Sequence, residues 1–246
     1  MSIDLSSYEE QTHQAIKHFW MTRERSLSAS SGGHQGERGE VVVRKNMDGF
    51  LDLIRNVVLR NGLTDADLHV SKPLYLTLPG FFRPTKRWDV LIVHKGVLVA
   101  AIELKSQVGS FGNNFNDRCE EVLGSSTDLW TAFREGAFGQ SPRPFVGYLM
   151  LLEDCVTSRS PVNDKSVHFP LFPEFKNASY TKRYEILCEK LIRERLYDAA
   201  TVLVSPRAAI VDGAYREMSQ LTGMRQFIAT LASHVAIAAA FTDEKN

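Results

Sequence analysis

Asp89 opens a short apolar run, Val90-Leu91-Ile92-Val93, and a second run, Val97-Leu98-Val99-Ala100-Ala101-Ile102, ends on Glu103-Leu104-Lys105. Between them His94-Lys95-Gly96 forms a short loop with a glycine able to take a positive φ, so the two runs spell a β-hairpin. In such a hairpin residue 89 lies across from residues 101–103, and strand side chains repeat every two residues. Asp89, Glu103 and Lys105 therefore converge at the hairpin end away from the turn. Two carboxylates can hold a hard cation such as Mg²⁺, which keeps several waters and takes phosphate oxygens in its remaining positions. The cation would polarise phosphorus and acidify a water, while Lys105 would orient or help deprotonate that water and offset charge on a pentacovalent phosphate. The set suits phosphodiester hydrolysis. It also admits a plainer reading, a Glu103–Lys105 salt bridge on a strand end with Asp89 as a turn or cap residue.

The elements around these residues point to an α/β chain. Both apolar runs lack alternation, as strands covered on two faces do. Residues 8–25 read as an amphipathic helix with Ile16, Phe19 and Trp20 on its apolar side, and residues 26–39, rich in Ser and Gly, as a flexible loop. Residues 40–60 carry apolar side chains at helical spacing, weakened at Gly49 and stopped by Asn61-Gly62. A short strand is expected over 74–78 and a short helix over 119–123. A buried strand follows at 144–152, a basic amphipathic helix at 184–197, a strand at 200–204 and a helix with an Ala-rich face at 221–241. Residues 158–182, with Pro161, Pro170 and Pro173, are too irregular for a core crossing and suit a recognition or dimer element. Strands alternating with helices give a mixed central β-sheet flanked by helices, read as a single domain over 1–246 with insertions at 26–39 and 158–182 for DNA contact or dimerisation.

Asp89, thirteen intervening residues, then Glu103-Leu104-Lys105 resembles the PD-(D/E)xK nuclease superfamily. The following Ser106-Gln107-Val108-Gly109-Ser110-Phe111-Gly112-Asn113-Asn114-Phe115-Asn116-Asp117-Arg118-Cys119-Glu120-Glu121-Val122-Leu123-Gly124 is similar to the corresponding stretch of the XhoI-type restriction endonucleases, a far more specific likeness. The chain departs from the superfamily pattern in having Trp88 where the motif has Pro, a position that is not a ligand. The resemblance implies a Mg²⁺-dependent type II endonuclease cutting double-stranded DNA at palindromic CTCGAG to leave 5′ overhangs. It also implies catalytic Asp89, Glu103 and Lys105, and a metal held by Asp89 and Glu103. In many of these nucleases a helical Glu before the sheet assists the metal. Glu40 is the first candidate and Asp48 the second, although a carboxylate at a helix start is also favoured by the helix dipole alone.

Arg83, Lys86 and Arg87 cluster just ahead of Asp89 and suit phosphate contacts. Asn113, Asn114, Asn116 and Arg118 are side chains able to read adenine and guanine edges, or to brace a turn. A palindromic site calls for a homodimer, each subunit cutting one strand, and a restriction role calls for a cognate DNA methyltransferase. Two other readings share parts of the pattern: a structure-selective repair or junction nuclease, and a catalytically silent DNA-binding module.

Composition narrows the class further. The chain has 246 residues, 43% of them hydrophobic, enough for one substantial core. Lys plus Arg balances Asp plus Glu at 29 each, which argues against a nonspecific basic DNA coat while leaving room for a local basic cleft. Cys119, Cys155 and Cys188 form no CxxC pair, so a disulfide framework or zinc site is not expected, and a reducing cytoplasm is the natural compartment. The N-terminus lacks a leader pattern and the apolar stretch 235–241 is too short to span a bilayer, so no membrane role is expected.

Overall fold

The computed structural model describes residues 3–30 and 46–243. Its elements run α1 (Tyr8–Ser30), α2 (Asp48–Arg60), β1 (Leu68–His69), β2 (Thr77–Pro79), β3 (Thr85–Arg87), β4 (Val90–His94), β5 (Val97–Gln107) and α3 (Phe111–Arg134), then β6 (Phe145–Glu153), α4 (Val156–Arg159), α5 (Tyr180–Arg193), β7 (Ala199–Ser205), β8 (Arg216–Glu217) and α6 (Met224–Asp243). Six strands form one sheet in the order β1-β4-β5-β6-β7-β8, and β2 pairs with β3 in a separate hairpin. The centre, β5-β6-β7, is parallel, and β1, β4 and β8 join antiparallel. This is the mixed, helix-flanked sheet expected from the sequence.

The unbroken apolar runs are explained by two cores on one sheet. One face carries Val90, Ile92, Ile102 and Leu104 against Ile16, Phe19 and Trp20 of α1, Phe50 and Ile54 of α2, and Phe227 and Leu231 of α6. The other carries Leu91, Ala101, Tyr148 and Met150 against Phe115, Val122 and Leu129 of α3 and Tyr184 and Cys188 of α5. The β4–β5 hairpin closes through Lys95 and Gly96 alone, at φ 48° and 78°, with His94 paired to Val97 inside the strands. Two successive positive φ values match the right-handed twist of the flanking strands.

Several boundaries differ from the sequence expectation. The first helix continues through Ser30, so residues 26–30 are helical rather than loop. The strand expected at 74–78 is a 3-10 turn over Pro73–Leu76, opened by proline with Leu76 fully buried, and only Thr77–Pro79 is extended. The expected short helix at 119–123 is the middle of α3, which starts at Phe111 because Gly109 and Ser110, both at positive φ, turn the chain sharply out of β5. Burial of Phe111 and Phe115 overrides the weak helix propensity of the Asn-rich segment. Helix α5 starts earlier and ends before Arg195, whose φ of 57° breaks the helix, so Tyr197 is buried beyond it. Within residues 158–182, Val167, Phe169 and Phe172 are exposed.

By length and composition Met224–Phe241 in α6 could cross a bilayer, which the stretch 235–241 alone could not. Met224, Phe227, Ile228, Leu231, Ala232 and Val235 are instead buried in the core along one face of the helix, while Ile237 and Phe241 are exposed.

Gly49 does not merely weaken α2. A Cβ there would lie 2.7 Å from the Ala15 Cα, so glycine lets α2 and α1 approach backbone to backbone. Gly49→Ala is expected to lower stability by about 1–3 kcal/mol in urea unfolding, despite alanine's better helix propensity, because a backbone atom cannot yield.

Candidate active site

Strand β5 outruns its neighbour. Val90 pairs with Ile102, so residues 103–107 lie beyond the start of β4 while β6 still pairs with them on the other side. Asp89 closes this step. Its amide donates to the Ile102 carbonyl at 3.2 Å, and its Oδ2 accepts from the Leu104 amide at 2.9 Å, where a strand carbonyl would otherwise be needed. Glu103 and Lys105 share one face, toward α3, and Leu104 points into the opposite core.

The Lys105 ammonium lies 2.8 Å from Glu103 Oε2, 2.8 Å from Glu121 Oε1 and 3.7 Å from Asp89 Oδ2. The ammonium of Lys86, lying 5.1 Å from the Trp88 ring centroid, donates to Glu103 Oε1, and Arg118 holds Glu121 Oε2 at 2.7 Å. The Glu103 side chain is 2% exposed, against 26% for Asp89. Lys86, Glu103, Lys105, Glu121 and Arg118 thus form a chain of alternating charge, with Asp89 a third carboxylate on Lys105. Burial, and then the charge of Glu103, push the Asp89 carboxyl above its ordinary range. Burial alone would lower Lys105, but Glu103, Asp89 and Glu121 outweigh it and raise its pKa, so it stays an ammonium. Burial opposes ionisation of Glu121 as well, and Lys105 and Arg118 reverse that, holding it below the usual carboxylate range.

The donor set fits a hard divalent ion. Two adjacent carboxylates, one of them resisting ionisation beside the other, gain from a cation between them, and no cluster of three or more His, Cys, Asp or Glu forms among the described residues. A cation that retains water suits this set better than one demanding an all-protein cage.

The other sequence candidates are placed as follows. Glu40 lies outside the described residues. Asp48 is exposed in the first turn of α2, a helix on the opposite face of the sheet from Glu103 and Lys105. Among the described residues, a helical carboxylate reaches the site from α3, after the motif: Glu121, which the sequence reading missed. Its only signal was position, three residues beyond Arg118 and on the same helical face. Lys86 enters the site itself. Arg83 is bound to Asp128 at 2.9 Å, and Arg87 is exposed on β3. Asn113 and Asn116 are exposed and Asn114 half-buried in the first two turns of α3, while Arg118 braces Glu121. Cys119, Cys155 and Cys188 are free thiols, and burial pushes Cys119 up to about 11, as expected of a packed thiol.

Residues 27–217 match the family model for restriction endonuclease XhoI. The chain belongs to the XhoI restriction endonuclease family. It is 47% identical to type II restriction enzyme BstVI of Geobacillus stearothermophilus over 86% of this chain and 96% of the relative. Identity is also 47% to type II restriction enzyme XhoI of Xanthomonas vasicola over 86% of each chain. For type II restriction enzyme AbrI of Azospirillum brasilense it is 51% over 69% of this chain and 77% of the relative. No solved structure matches the chain. As in other members of the XhoI family, the function is site-specific cleavage of DNA, and type II enzymes generally need a divalent metal.

Asp89 binds its proton more tightly folded than unfolded, so its contribution to stability is fully present below the ordinary carboxylate pKa of about 4 and is lost as pH rises through the raised folded value. Asp89→Asn is therefore expected to melt about 2–5 °C above the parent at pH 7 in EDTA, the gap closing toward pH 3 in thermal scans.

Proposed function

We propose that this chain is a Mg²⁺-dependent type II restriction endonuclease that acts as a homodimer on double-stranded DNA, cutting the palindrome CTCGAG to leave 5′ overhangs. The observation that carries the reading is the meeting of Asp89, Glu103 and Lys105 at the step where β5 outruns β4, in a member of the XhoI family. Asp89 and Glu103 would hold the metal, with Glu40 as the candidate third carboxylate. The ion, when bound, supplies Lewis acidity toward the scissile phosphate.

The remaining work falls to the chain's own groups. Lys105 orients or helps deprotonate the attacking water and offsets charge on the phosphate. Glu121 and Arg118 act through Lys105 as positioning residues. Lys86 neutralises the buried Glu103. Asn113, Asn114 and Asn116 remain candidates for base contacts and Arg87 for a phosphate. We read the chain as one domain built on one sheet, working in the cytoplasm beside a cognate DNA methyltransferase. Residues 158–182, with Val167, Phe169 and Phe172 exposed, are the dimer or recognition element.

The deciding experiment is digestion of an unmethylated plasmid carrying one CTCGAG, with Mg²⁺ and with EDTA, beside Glu103→Ala and Lys105→Ala. One Mg²⁺-dependent cut is expected, slowed by each substitution at least about 10³-fold. Intact plasmid throughout would overturn the reading, and cutting of branched DNA regardless of sequence would favour a junction nuclease. Glu121→Gln is expected to lower kcat about 10–100-fold with KM nearly unchanged in steady-state cleavage of a duplex, because it disturbs Lys105 and not DNA binding.

A further inference from the structure

The β2–β3 hairpin ends in a turn, residues 80–84, whose tip takes no part in the chemistry above. It carries Phe81 and Phe82, 52% and 68% exposed, packed edge to face with ring centroids 5.3 Å apart. The backbone beneath them is fixed by one side chain. Asp128 of α3, 2% exposed, accepts through Oδ1 from the amides of Phe81 at 2.7 Å, Phe82 at 2.8 Å and Arg83 at 3.4 Å, and through Oδ2 from Arg83 Nε at 2.9 Å. Gly80 is needed for the fit, since a Cβ there would lie 2.5 Å from Asp128 Oδ2 and from the Arg83 carbonyl oxygen. A buried charge is thus committed to holding two apolar rings out in water. The hydrated rings themselves contribute nothing to folding, whereas rings fixed in advance lose little freedom on binding.

Both supports of the tip lead back to the catalytic centre. Lys86 of the same hairpin reaches Glu103, and Glu121, on Lys105, sits two helical turns before Asp128 on α3, about 10 Å away. Arg87 is exposed on the same hairpin, whereas Arg83 and Lys86 are engaged by Asp128 and Glu103.

We propose that Phe81 and Phe82 form a DNA wedge, entering a groove beside the cleavage site and packing on sugar and base edges, with Asp128 as the residue that positions them. Apolar side chains inserted at a base step from the minor groove partly unstack it and kink the duplex toward the major groove. The proposal rests on the nuclease reading and adds to it an uncharged contact with DNA.

The test is fluorescence anisotropy of the full chain with a short labelled CTCGAG duplex across a salt series in EDTA, paired with cleavage in Mg²⁺. Phe81→Ala/Phe82→Ala is expected to keep its melting temperature and weaken affinity about tenfold or more. The slope of affinity against salt should stay unchanged, because no counterion is released by a ring. Asp128→Asn should weaken binding with the rings intact, and adding it to the double variant should cost little more. If Asp128→Asn fails to fold, the ring variant decides alone. Affinity and cleavage within twofold of a wild type that cuts CTCGAG would overturn the wedge and leave the functional reading standing. A changed salt slope would overturn it too, as would dimer dissociation with DNA affinity retained, which would assign the tip to a second copy. A wild type that neither binds nor cuts any duplex would remove both.

Discussion

The amide of Leu104, in the part of β5 that extends past β4, is taken by the Asp89 carboxylate, and the rest of the site follows from that hydrogen bond. A full-length β4 would have satisfied the same amide with a carbonyl and left no opening. Ending β4 early instead places a side-chain carboxylate in the ladder, directly beside Glu103 and Lys105 on the neighbouring strand. The same backbone bond therefore satisfies the sheet and sets the spacing of two like charges. Such a spacing is unfavourable without compensation, which is why Asp89 resists ionisation and why cations crowd around Glu103.

Helix α3 provides that compensation. The positive-φ pair Gly109-Ser110 turns the chain back along the sheet as soon as β5 ends, so one continuous helix crosses above the site. Gln107 steadies the turn: its amide donates to the Gly109 and Ser110 carbonyls, at 3.5 and 3.3 Å, and its oxygen accepts from Tyr184. Further along, Glu121 meets Lys105 and Asp128 meets the β2–β3 turn. Breaking a buried charged chain of this kind is costly because each member removed leaves another unpaired. The arrangement holds six charged groups in register before any substrate is present, the preorganisation that electrostatic catalysis requires.

The two cores divide the labour. The α1, α2 and α6 side is almost wholly apolar and packed closely enough that Gly49 has no room for a methyl group. The α3 and α5 side combines aromatic packing with the polar chain that reaches the site. A stiff sheet between them explains why an eleven-residue strand can present its charges at its exposed end without fraying.

What the sequence determined by itself was local. Uninterrupted β-branched runs around Lys95-Gly96 specify a doubly covered hairpin, and the strand period then forces Asp89, Glu103 and Lys105 to one end. The Ser106 to Gly124 stretch was enough to identify the family. Tertiary structure decided what depends on distant chain segments. Asp48, on α2, packs on the far face, and Glu121 arrives from α3, because the turn at 109–110 and the burial of Phe111 and Phe115 fix which side of that helix faces the strands. Likewise Arg83, Lys86 and Arg118 read as free cations in sequence, and only folding shows that each is paired with a carboxylate from a different segment or turn. Periodicity reports the face on which a residue lies, and long-range packing chooses the partner it meets there.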